Sequence, residues 1–259
     1  MLTRRSLLQG LLFSCALPSF AHTGQTVRLF LQESLDSRGR QLPIDPKLAQ
    51  ILSYIEHESG MRFEPILLPW KRAQTETLQG NGIIYGFSKS EERLQKYDYS
   101  KALITERVWA ITYGNPKPNF NTVEDLRGKI VSIGRGFSHG LEFDRAKNVI
   151  FTVEEDSATS TARFKKLIAK RSDLMLWPIR QFTQSQEVEA YINQTLIPSF
   201  EDPTLAKHHF DISAKPLFFD TVHFASAKGQ FQHIIKKIDA VILRGSKNGS
   251  LEKALKDYH

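Results

Sequence analysis

The sequence predicts an α/β protein with two sheets, each covered by helices on both faces. Apolar runs of strand length alternate along the chain with amphipathic segments of helix length, which is typical of sheets buried between helices. A loop rich in Gly and Pro at residues 114–118 follows one such strand and begins a second set of these units. Because ligands of open α/β sheets bind beyond the carboxyl ends of the strands, two sheets would place those ends across a shared cleft.

The first helix carries clear start and stop signals. It follows a strand predicted at residues 27–31. Asp45 can cap the helix, Pro46 suits its first turn, and Gly60 ends it. One apolar face is formed by Leu48, Ile51, Leu52 and Ile55.

The remaining elements continue the same alternation. Thr122, with Asp125 three residues later, has the spacing of a capping box and predicts a helix that ends at Gly128. Strands are predicted at residues 63–68, Ile83–Phe87, 108–113, 129–133, 149–153 and 174–177, and further helices from Trp70, at 162–169, at 231–243 and at 251–258.

The amino terminus predicts export to the periplasm. Arg4 and Arg5 precede a short apolar run, and the stretch ends in Ser19-Phe20-Ala21, which is small at both positions that a signal peptidase recognises. We expect residues 1–21 to be a signal peptide and the mature protein to begin near His22. The paired arginines also fit a twin-arginine signal, so two export routes are open. The apolar run is shorter than the roughly 20 residues of a membrane-spanning helix.

Cysteine and charge exclude several classes of function. Cys15, the only cysteine, lies inside the predicted signal peptide, so the mature chain would form no disulfide and no thiolate metal site. A lipidation site at Cys15 is an alternative. The chain has 35 basic and 28 acidic residues, a net charge of +7, and loss of the two signal arginines lowers it to +5. The basic residues are interleaved with acidic ones, which argues against nucleic acid as a partner.

Several motifs occur in an order that is typical of one protein family. They are Pro69-Trp70-Lys71-Arg72 before Leu78-Gln79-Gly80, Ser88-Lys89-Ser90-Glu91-Glu92-Arg93 before Tyr97-Asp98-Tyr99-Ser100, the segment 123–129, Gly134-Arg135-Gly136-Phe137-Ser138, and a strand at 223–228 before two helices. With these motifs, over nearly all of the mature chain, the sequence resembles the family 3 periplasmic solute-binding proteins. These are the type II receptors of ABC importers for amino acids and related polar solutes.

The resemblance implies a two-lobed fold with a two-strand hinge. Lobe one would comprise residues 22–105 and 222–259, and lobe two residues 106–221. Closure of the lobes would capture a small polar, carboxylate-bearing and amino-acid-like solute in the cleft. The monomeric protein would deliver this solute to an ABC permease. A membrane sensor is an alternative partner, and neighbouring genes would discriminate between the two.

The resemblance also implies a carboxylate site. Arg93 occupies the position at which amino-acid binders of the family hold the ligand carboxylate, and a guanidinium fork suits that group. Ser88 would bond the same ligand, and Ser138, at the start of a helix in lobe two, would meet the carboxylate from the opposite side. The alternatives are a surface ion pair of Arg93 with Glu91 or Glu92, and helix-capping roles for both serines.

Further candidate ligand contacts come from residues around the strand ends. Trp70 matches a position at which the family places an apolar or aromatic side chain over the ligand, and Arg72 would add positive charge. Tyr85 and Trp177 end apolar strands whose carboxyl ends should face the cleft, and Glu33 follows the first strand. Packing in the core is the alternative for the aromatic residues, and a surface position is the alternative for Arg72.

One position departs from the pattern of the amino-acid binders. Where they usually carry an Asp that neutralises the ligand ammonium, this chain has Pro178, which offers neither a charge nor a donor. An ammonium buried without a partner would be costly. The hypothesis is therefore that the solute is not a standard α-amino acid, or that Glu33 or another acid replaces the missing Asp.

An enzyme on the same fold, such as a dehydratase, is the second alternative. The eight His residues form no HxxxH spacing, and the chain has no Gly-rich phosphate loop. We therefore expect no enzyme activity, no cofactor and no metal. His208 and His209 are expected at the surface, on opposite faces of a strand, and His139 is expected to face solvent.

Overall fold

The computed structural model describes residues 25–36, 38–114, 120–156 and 159–256. The predicted signal peptide with Cys15, and residues 115–118 of the predicted connecting loop, lie outside the described residues. Within the described ranges, no helix is both long enough and apolar enough to cross a membrane.

Lobe one begins with a parallel β-α-β arrangement. The elements are β1 (Thr26–Gln32), α1 (Pro46–Ser59), β2 (Arg62–Leu68), α2 (Trp70–Leu78), β3 (Ile83–Phe87), α3 (Glu91–Lys96) and β4 (Tyr97–Tyr99). Strand β1 lies between β2 and β3 and runs parallel to both. The predicted caps of α1 are confirmed: the Asp45 carboxylate accepts from the backbone N–H groups of Lys47 and Leu48, and Gly60 ends the helix at φ 67°.

Lobe two is built around a second sheet. Its elements are β5 (Ile104–Thr112), a 3₁₀ turn (Val123–Leu126), β6 (Ile130–Gly134), α4 (Leu141–Ala146), β7 (Thr152–Asp156), α5 (Ser160–Ile168), β8 (Leu174–Ile179), α6 (Ser185–Tyr191), a π-helical turn (Ile192–Leu196), α7 (Ile197–Ser199) and β9 (Asp211–Ile212). The order β5-β8-β6-β7 places β8 in the middle of this sheet.

A single long strand joins the two sheets. Strand β10 (Phe218–Ala227) pairs antiparallel with β5 through residues 218–222, and its second half pairs antiparallel with β3 and β4. Two helices follow, α8 (Gln232–Asn248) and α9 (Ser250–Leu255), and they pack with α1 on lobe one. The sheets therefore meet where β5 and β10 pass side by side.

The sheets are mixed, although the alternating pattern predicted parallel ones. Strand β5 is antiparallel to β8, β9 and β10, because the chain crosses between the lobes in opposite directions at β5 and β10. The prediction that both faces are covered is confirmed. Along β5, Val108 and Ala110 join one buried apolar cluster, while Trp109 and Ile111 join another on the opposite face.

Two predicted elements differ from the structure, and one helical region was not predicted. The segment predicted as a helix from Thr122 is only the 3₁₀ turn, although the Asp125 carboxylate accepts from the Thr122 backbone N–H. The strand predicted at 149–153 begins later, at Thr152, because Asn148 turns the chain at φ 61° and leaves Val149 78% exposed. The helical segment from α6 to α7 has no counterpart among the predicted elements.

Loss of the α1 cap should destabilise lobe one measurably. Replacing Asp45 by Ala leaves two helix N–H groups without their acceptor, and we expect the free energy of unfolding to fall by about 1 kcal/mol. Urea unfolding followed by circular dichroism measures this change. Asp45→Ser, which retains a capping oxygen, is the matched control and should stay within about 0.5 kcal/mol of the wild type. Equal losses in both variants would contradict the capping role.

Candidate functional site

A cavity of about 300 Å³ lies between the lobes. Lobe one contributes Ser88 and Arg93 to its wall, and lobe two contributes His139. A second cavity of about 420 Å³ adjoins it, and Trp70 and Phe137 belong to the walls of both. The rings of these two residues meet edge to face across the cleft, with centroids 6.2 Å apart. The lobes are thus in direct contact beside a partly open space that is large enough for a small solute.

An irregularity in β3 directs Ser88 toward this cavity. Gly86 has φ 89°, and the register between β3 and β10 shifts at this point. Tyr85 packs into the cluster beneath α1 and α8, whereas Phe87 packs into the opposite cluster with Trp70. In a regular strand, residues two apart share a face, so the glycine turn is what separates them. Ser88 follows directly and lines the cavity.

Arg93 bridges the lobes. Its Nη1 donates to the Ser88 carbonyl oxygen at 3.0 Å, its Nη2 donates to the Gly136 carbonyl oxygen at 2.8 Å, and the guanidinium lies 4.2 Å from the centre of the Phe87 ring. Burial lowers the pKa of Arg93, and the negative charges of nearby acidic groups oppose this shift. The surface ion pair considered as an alternative does not form, because Glu91 pairs with Arg145 and Glu92 with Lys96.

Close approach of the lobes depends on Gly136. A Cβ atom at this position would lie 2.8 Å from Cγ of Lys71 and 3.1 Å from Nε2 of Gln74, both on α2. The Gln74 amide also donates to the Gly136 carbonyl oxygen at 3.0 Å, and Lys71 pairs with Glu155 at 2.8 Å. A side chain at position 136 would therefore hold the two lobes apart.

Ser88 takes part in a buried chain of hydrogen bonds. Its hydroxyl contacts the Asp220 carboxyl group on β10 and lies 3.2 Å from the Ser138 carbonyl oxygen. A hydroxyl has one hydrogen to donate. With Asp220 protonated, the acid donates to Ser88 and Ser88 donates to Ser138, which satisfies all three groups. Burial and the Glu106 carboxylate, which lies opposite in the β5–β10 register, raise the pKa of Asp220 to about 7.

Ser138 has partners within its own lobe. Its hydroxyl contacts the Asp144 carboxylate and accepts from the Gly140 backbone N–H at 3.2 Å. Gly140, not Ser138, is the N-cap of the six-residue helix α4, and Ser90 is the cap of α3. Both serines predicted as ligand contacts thus line the cavity, but neither is the helix cap that was their alternative role.

The remaining predicted contacts divide into three groups. Tyr85 lines the first cavity while it packs on Phe224, with ring centroids 4.8 Å apart. Glu33 and Trp177 line the second cavity instead, so the predicted ligand contacts are divided between the two cavities. Arg72 lines neither of these cavities, because it lies on the exposed face of α2, where it is 3.7 Å from Glu76. Arg72 is therefore not part of the site proposed below.

Two charged residues of the first cavity, Arg180 and Glu106, were not identified from the sequence. Arg180 follows β8, on the same side of the chain as Pro178, and its guanidinium forms a close ion pair with Glu106 of β5. Both line the first cavity together with Pro178. The alternation of a strand places residues 178 and 180 on one face, and this signal could have identified Arg180. Nothing local in the sequence indicates Glu106, which lies 74 residues earlier.

The prediction that His139 faces solvent is wrong. The side chain is only 3% exposed, because it packs edge to face on Phe143 and lies against Phe137. Burial, together with the positive charges of Arg163 and Arg93, lowers the pKa of His139 to about 3. The imidazole is therefore neutral at physiological pH, and it forms part of the wall of the first cavity.

His208 and His209 have different partners on the far side of lobe two. His208 Nδ1 lies 2.8 Å from the Tyr113 hydroxyl. His209 Nε2 lies 3.0 Å from a carboxylate oxygen of Glu189. Among the described residues, His209, Glu189 and Asp211 could offer a metal three ligand atoms that lie within 4.8 Å of one another. Neither histidine lies in a strand, so the argument from opposite strand faces does not apply. The predicted surface position is confirmed for His209, which is exposed, whereas His208 is partly buried.

Comparisons with known proteins reveal relatives in structure only. No protein-family model and no curated protein matches the chain. A mutant of ArgBP from T. maritima superposes with a TM-score of 0.64 at 16% identity, covering 90% of this chain and 94% of that chain. The amino acid ABC transporter substrate-binding protein AbpA from Streptococcus pneumoniae, bound to L-arginine, gives 0.63 at 14% identity, covering 90% and 93%.

A third solved structure is similar over most of the chain. The GluR0 ligand binding core, in complex with L-glutamate, gives a TM-score of 0.64 at 14% identity and covers 91% of this chain and 98% of that chain. At these identities the likeness concerns the fold. It confirms the two-lobed α/β architecture that the sequence predicted.

Asp220 should make the stability of the protein depend on pH. The ordinary pKa of an Asp side chain is 3.8, whereas the pKa of Asp220 is about 7 in the folded protein. Between these two pH values the folded state binds more protons than the unfolded state, so stability falls as the pH rises through this range. Asp220→Asn donates like the protonated acid and cannot ionise. We expect this variant to gain about 2 kcal/mol over the wild type near pH 7.5 and little near pH 4.

Urea unfolding of both proteins at the two pH values measures this effect. The result expected is a stability difference that grows with pH. A difference that is the same at both pH values would show that Asp220 titrates normally in the folded protein. Asp98→Asn is the control, because it removes an acid that is more exposed than Asp220. The Asp98 carboxylate accepts from the Gly229 backbone N–H.

Proposed function

We propose that this chain, which has the fold of the type II periplasmic binding proteins, is an exported solute-binding receptor. It captures a small, polar, carboxylate-bearing solute of amino-acid-like size in the cleft between its lobes. The observation that carries this proposal is the charge of the cleft. Five cationic and two anionic residues line the two adjoining cavities: Lys71, Arg93, Arg135, Arg163 and Arg180, against Glu33 and Glu106.

Arg93 is the residue to which we assign the solute carboxylate. Two of its N–H groups donate to backbone carbonyl oxygens, and these hydrogen bonds hold the guanidinium in a fixed orientation at the cavity wall. A fixed, always charged fork is suited to a carboxylate, because less side-chain entropy is lost when the ion pair forms. The bound arginine and glutamate in the structural relatives are solutes of this chemical class.

Glu106 is a candidate replacement for the acid that is missing at Pro178. It is 8% exposed and lines the same cavity as Pro178. We assign to Glu106 the role of balancing a positive group of the solute, shared with Arg180, so an α-amino acid remains within the proposed class. Glu33 would play this part for a solute that extends into the second cavity.

The proposal extends to the setting of the protein. Residues 1–21 would direct export and be removed, the lobe boundaries would lie near residues 105 and 221 on β5 and β10, and the monomer would pass its solute to an ABC permease. The solved structures named above are binding proteins or ligand binding cores, which favours a receptor over an enzyme. A membrane sensor is the alternative partner, and it would use the same cleft.

A thermal-shift panel tests the solute class. The chain is expressed with its own amino terminus, purified from the periplasm, and mixed with L-arginine, L-glutamine, L-glutamate, succinate or putrescine. A solute at about 100 times its Kd stabilises the folded state by about 2.7 kcal/mol, which raises Tm by about 5 °C or more. We expect this for at least one carboxylate and not for putrescine. Stabilisation by putrescine alone, or by no member of the panel, would refute the proposed class.

Arg93→Lys then locates the binding site. The substitution retains the charge but loses the fork, and we expect calorimetric titration of any carboxylate that binds to show an affinity at least about tenfold lower, or about 1.4 kcal/mol. Arg72→Lys is the matched control at an exposed arginine outside both cavities, and its affinity should equal that of the wild type. An unchanged affinity in Arg93→Lys would place the solute elsewhere.

A further inference from the structure

Arg163 places a positive charge in the wall of the second cavity. The residue is only 7% exposed, and burial lowers its pKa to about 10, so the guanidinium is protonated at physiological pH. Buried charges are ordinarily paired, because an unpaired one is costly. In the part of the chain that the structure describes, however, Arg163 forms no ion pair. Asp156, whose negative charge acts on it, contacts Lys166 and Ser132 instead.

Hydrogen bonds hold the Arg163 guanidinium in place but leave one nitrogen available. Nη2 donates to the carbonyl oxygens of Ser132 at 3.0 Å and Leu176 at 2.8 Å, and Nε donates to the Ser132 hydroxyl oxygen at 3.3 Å. The group also lies 5.3 Å from the centre of the Trp177 ring, which lines the same cavity. Nη1 forms no hydrogen bond with a described residue and, unlike the fully buried atoms that lack a partner, it retains accessible surface.

The amino terminus of α5 lines the same cavity. Ser160, the first residue of this nine-residue helix, belongs to the cavity wall together with Arg163, which lies three residues later. Thr159 precedes the helix, but its side chain forms no capping hydrogen bond, and the first turn contains no acidic residue. Backbone N–H groups at a helix start favour anions. The uncapped helix start and the available Nη1 therefore suit one acidic group of a solute.

Apolar side chains line the space shared by the two cavities. Trp70, Phe137 and Pro178 belong to the walls of both, whereas Arg93 belongs to the first and Arg163 to the second. A solute that reaches both guanidinium groups therefore passes these apolar side chains.

The other charged residues of the second cavity are less suited to an anion. Lys71 is 2.8 Å from Glu155, which offsets its charge, and Arg135 is exposed. Glu33, which is acidic, lies on lobe one and accepts from Gln41 at 3.1 Å. A buried charge is screened less than an exposed one, so Arg163 is the strongest anion partner in this cavity.

We propose that Arg163 and the start of α5 form a second anion subsite, and that the solute is a dicarboxylate whose two acidic groups are joined by an apolar segment. One carboxylate binds Arg93 in the first cavity, the other binds Arg163 in the second, and the segment between them lies against Trp70 and Phe137. The inference rests on the proposed receptor function and narrows its class of solute.

Matched pairs of solutes test the second subsite in the wild-type protein. The pairs are adipate and hexanoate, suberate and octanoate, and L-α-aminoadipate and L-norleucine. The members of each pair share a carbon chain of the same length, and only the first has a second carboxylate. In calorimetric titration of the full chain, we expect at least one diacid to bind with an affinity at least about tenfold higher than that of its monoacid.

Arg163→Met then assigns the second carboxylate to this residue. The substitution removes the charge and retains an unbranched side chain beside Trp177. We expect the affinity for the diacid to fall at least about tenfold and that for the monoacid to stay within about threefold, because only the diacid reaches the subsite. A structural role would lower both affinities. Arg171→Met, at an exposed arginine of lobe two that lines neither cavity, is the matched control and should change neither.

A spectroscopic measurement keeps the inference testable if Arg163→Met folds poorly. In wild-type protein with ¹⁵N-labelled arginine, the guanidinium resonances of Arg163 should shift on saturation with the diacid and not with the monoacid.

The outcomes distinguish this inference from the receptor function. Equal affinities within every pair, equal losses for both members in Arg163→Met, or unmoved Arg163 resonances would overturn the inference and leave the receptor function intact. Binding of a carboxylate from the thermal-shift panel, with no binding of any diacid of these pairs, would do the same. Failure of every carboxylate in both sets to bind would instead refute the proposed solute class, and this inference with it.

Discussion

The antiparallel pairing of β5 with β10 is the constraint on which the rest of the molecule depends. Strand β10 continues from this pairing into the sheet of lobe one, where it pairs with β3 and β4, so it joins the two lobes. The β5–β10 register places Glu106 directly opposite Asp220. Two carboxylates in such a pair repel each other. Arg180 offsets the charge of Glu106, while burial and the neighbouring charge of Glu106 drive Asp220 toward its protonated form.

This arrangement connects the hinge to the cavity wall. Asp220 contacts Ser88 of lobe one, and Ser88 reaches the backbone of Ser138 in lobe two. A buried hydrogen-bond chain of this kind stabilises one relative position of the lobes only while every member has a partner. Ser88 therefore connects Asp220, which is not in the cavity wall, with the backbone of the opposite lobe.

The two lobes make specific contacts with each other. Arg93 and Gln74 both donate to the carbonyl oxygen of Gly136, and Trp70 meets Phe137. A solute shifts the balance between open and closed forms only by its differential affinity for the closed one. Contacts that require both lobes at once are the ones that supply such a difference.

The sequence by itself determined the α/β class, the caps of α1, the limits of β3 and the presence of Ser88 and Arg93 at the cleft. Each depends on local periodicity, on a capping residue or on motifs close together in the chain, and such signals are independent of the rest of the fold. Only the tertiary structure decided that His139 is buried, that Glu106 meets Arg180 and that Asp220 meets Ser88. The last two partners are 132 residues apart, and the pKa of an acid or the burial of an imidazole is a property of the groups that folding brings around it.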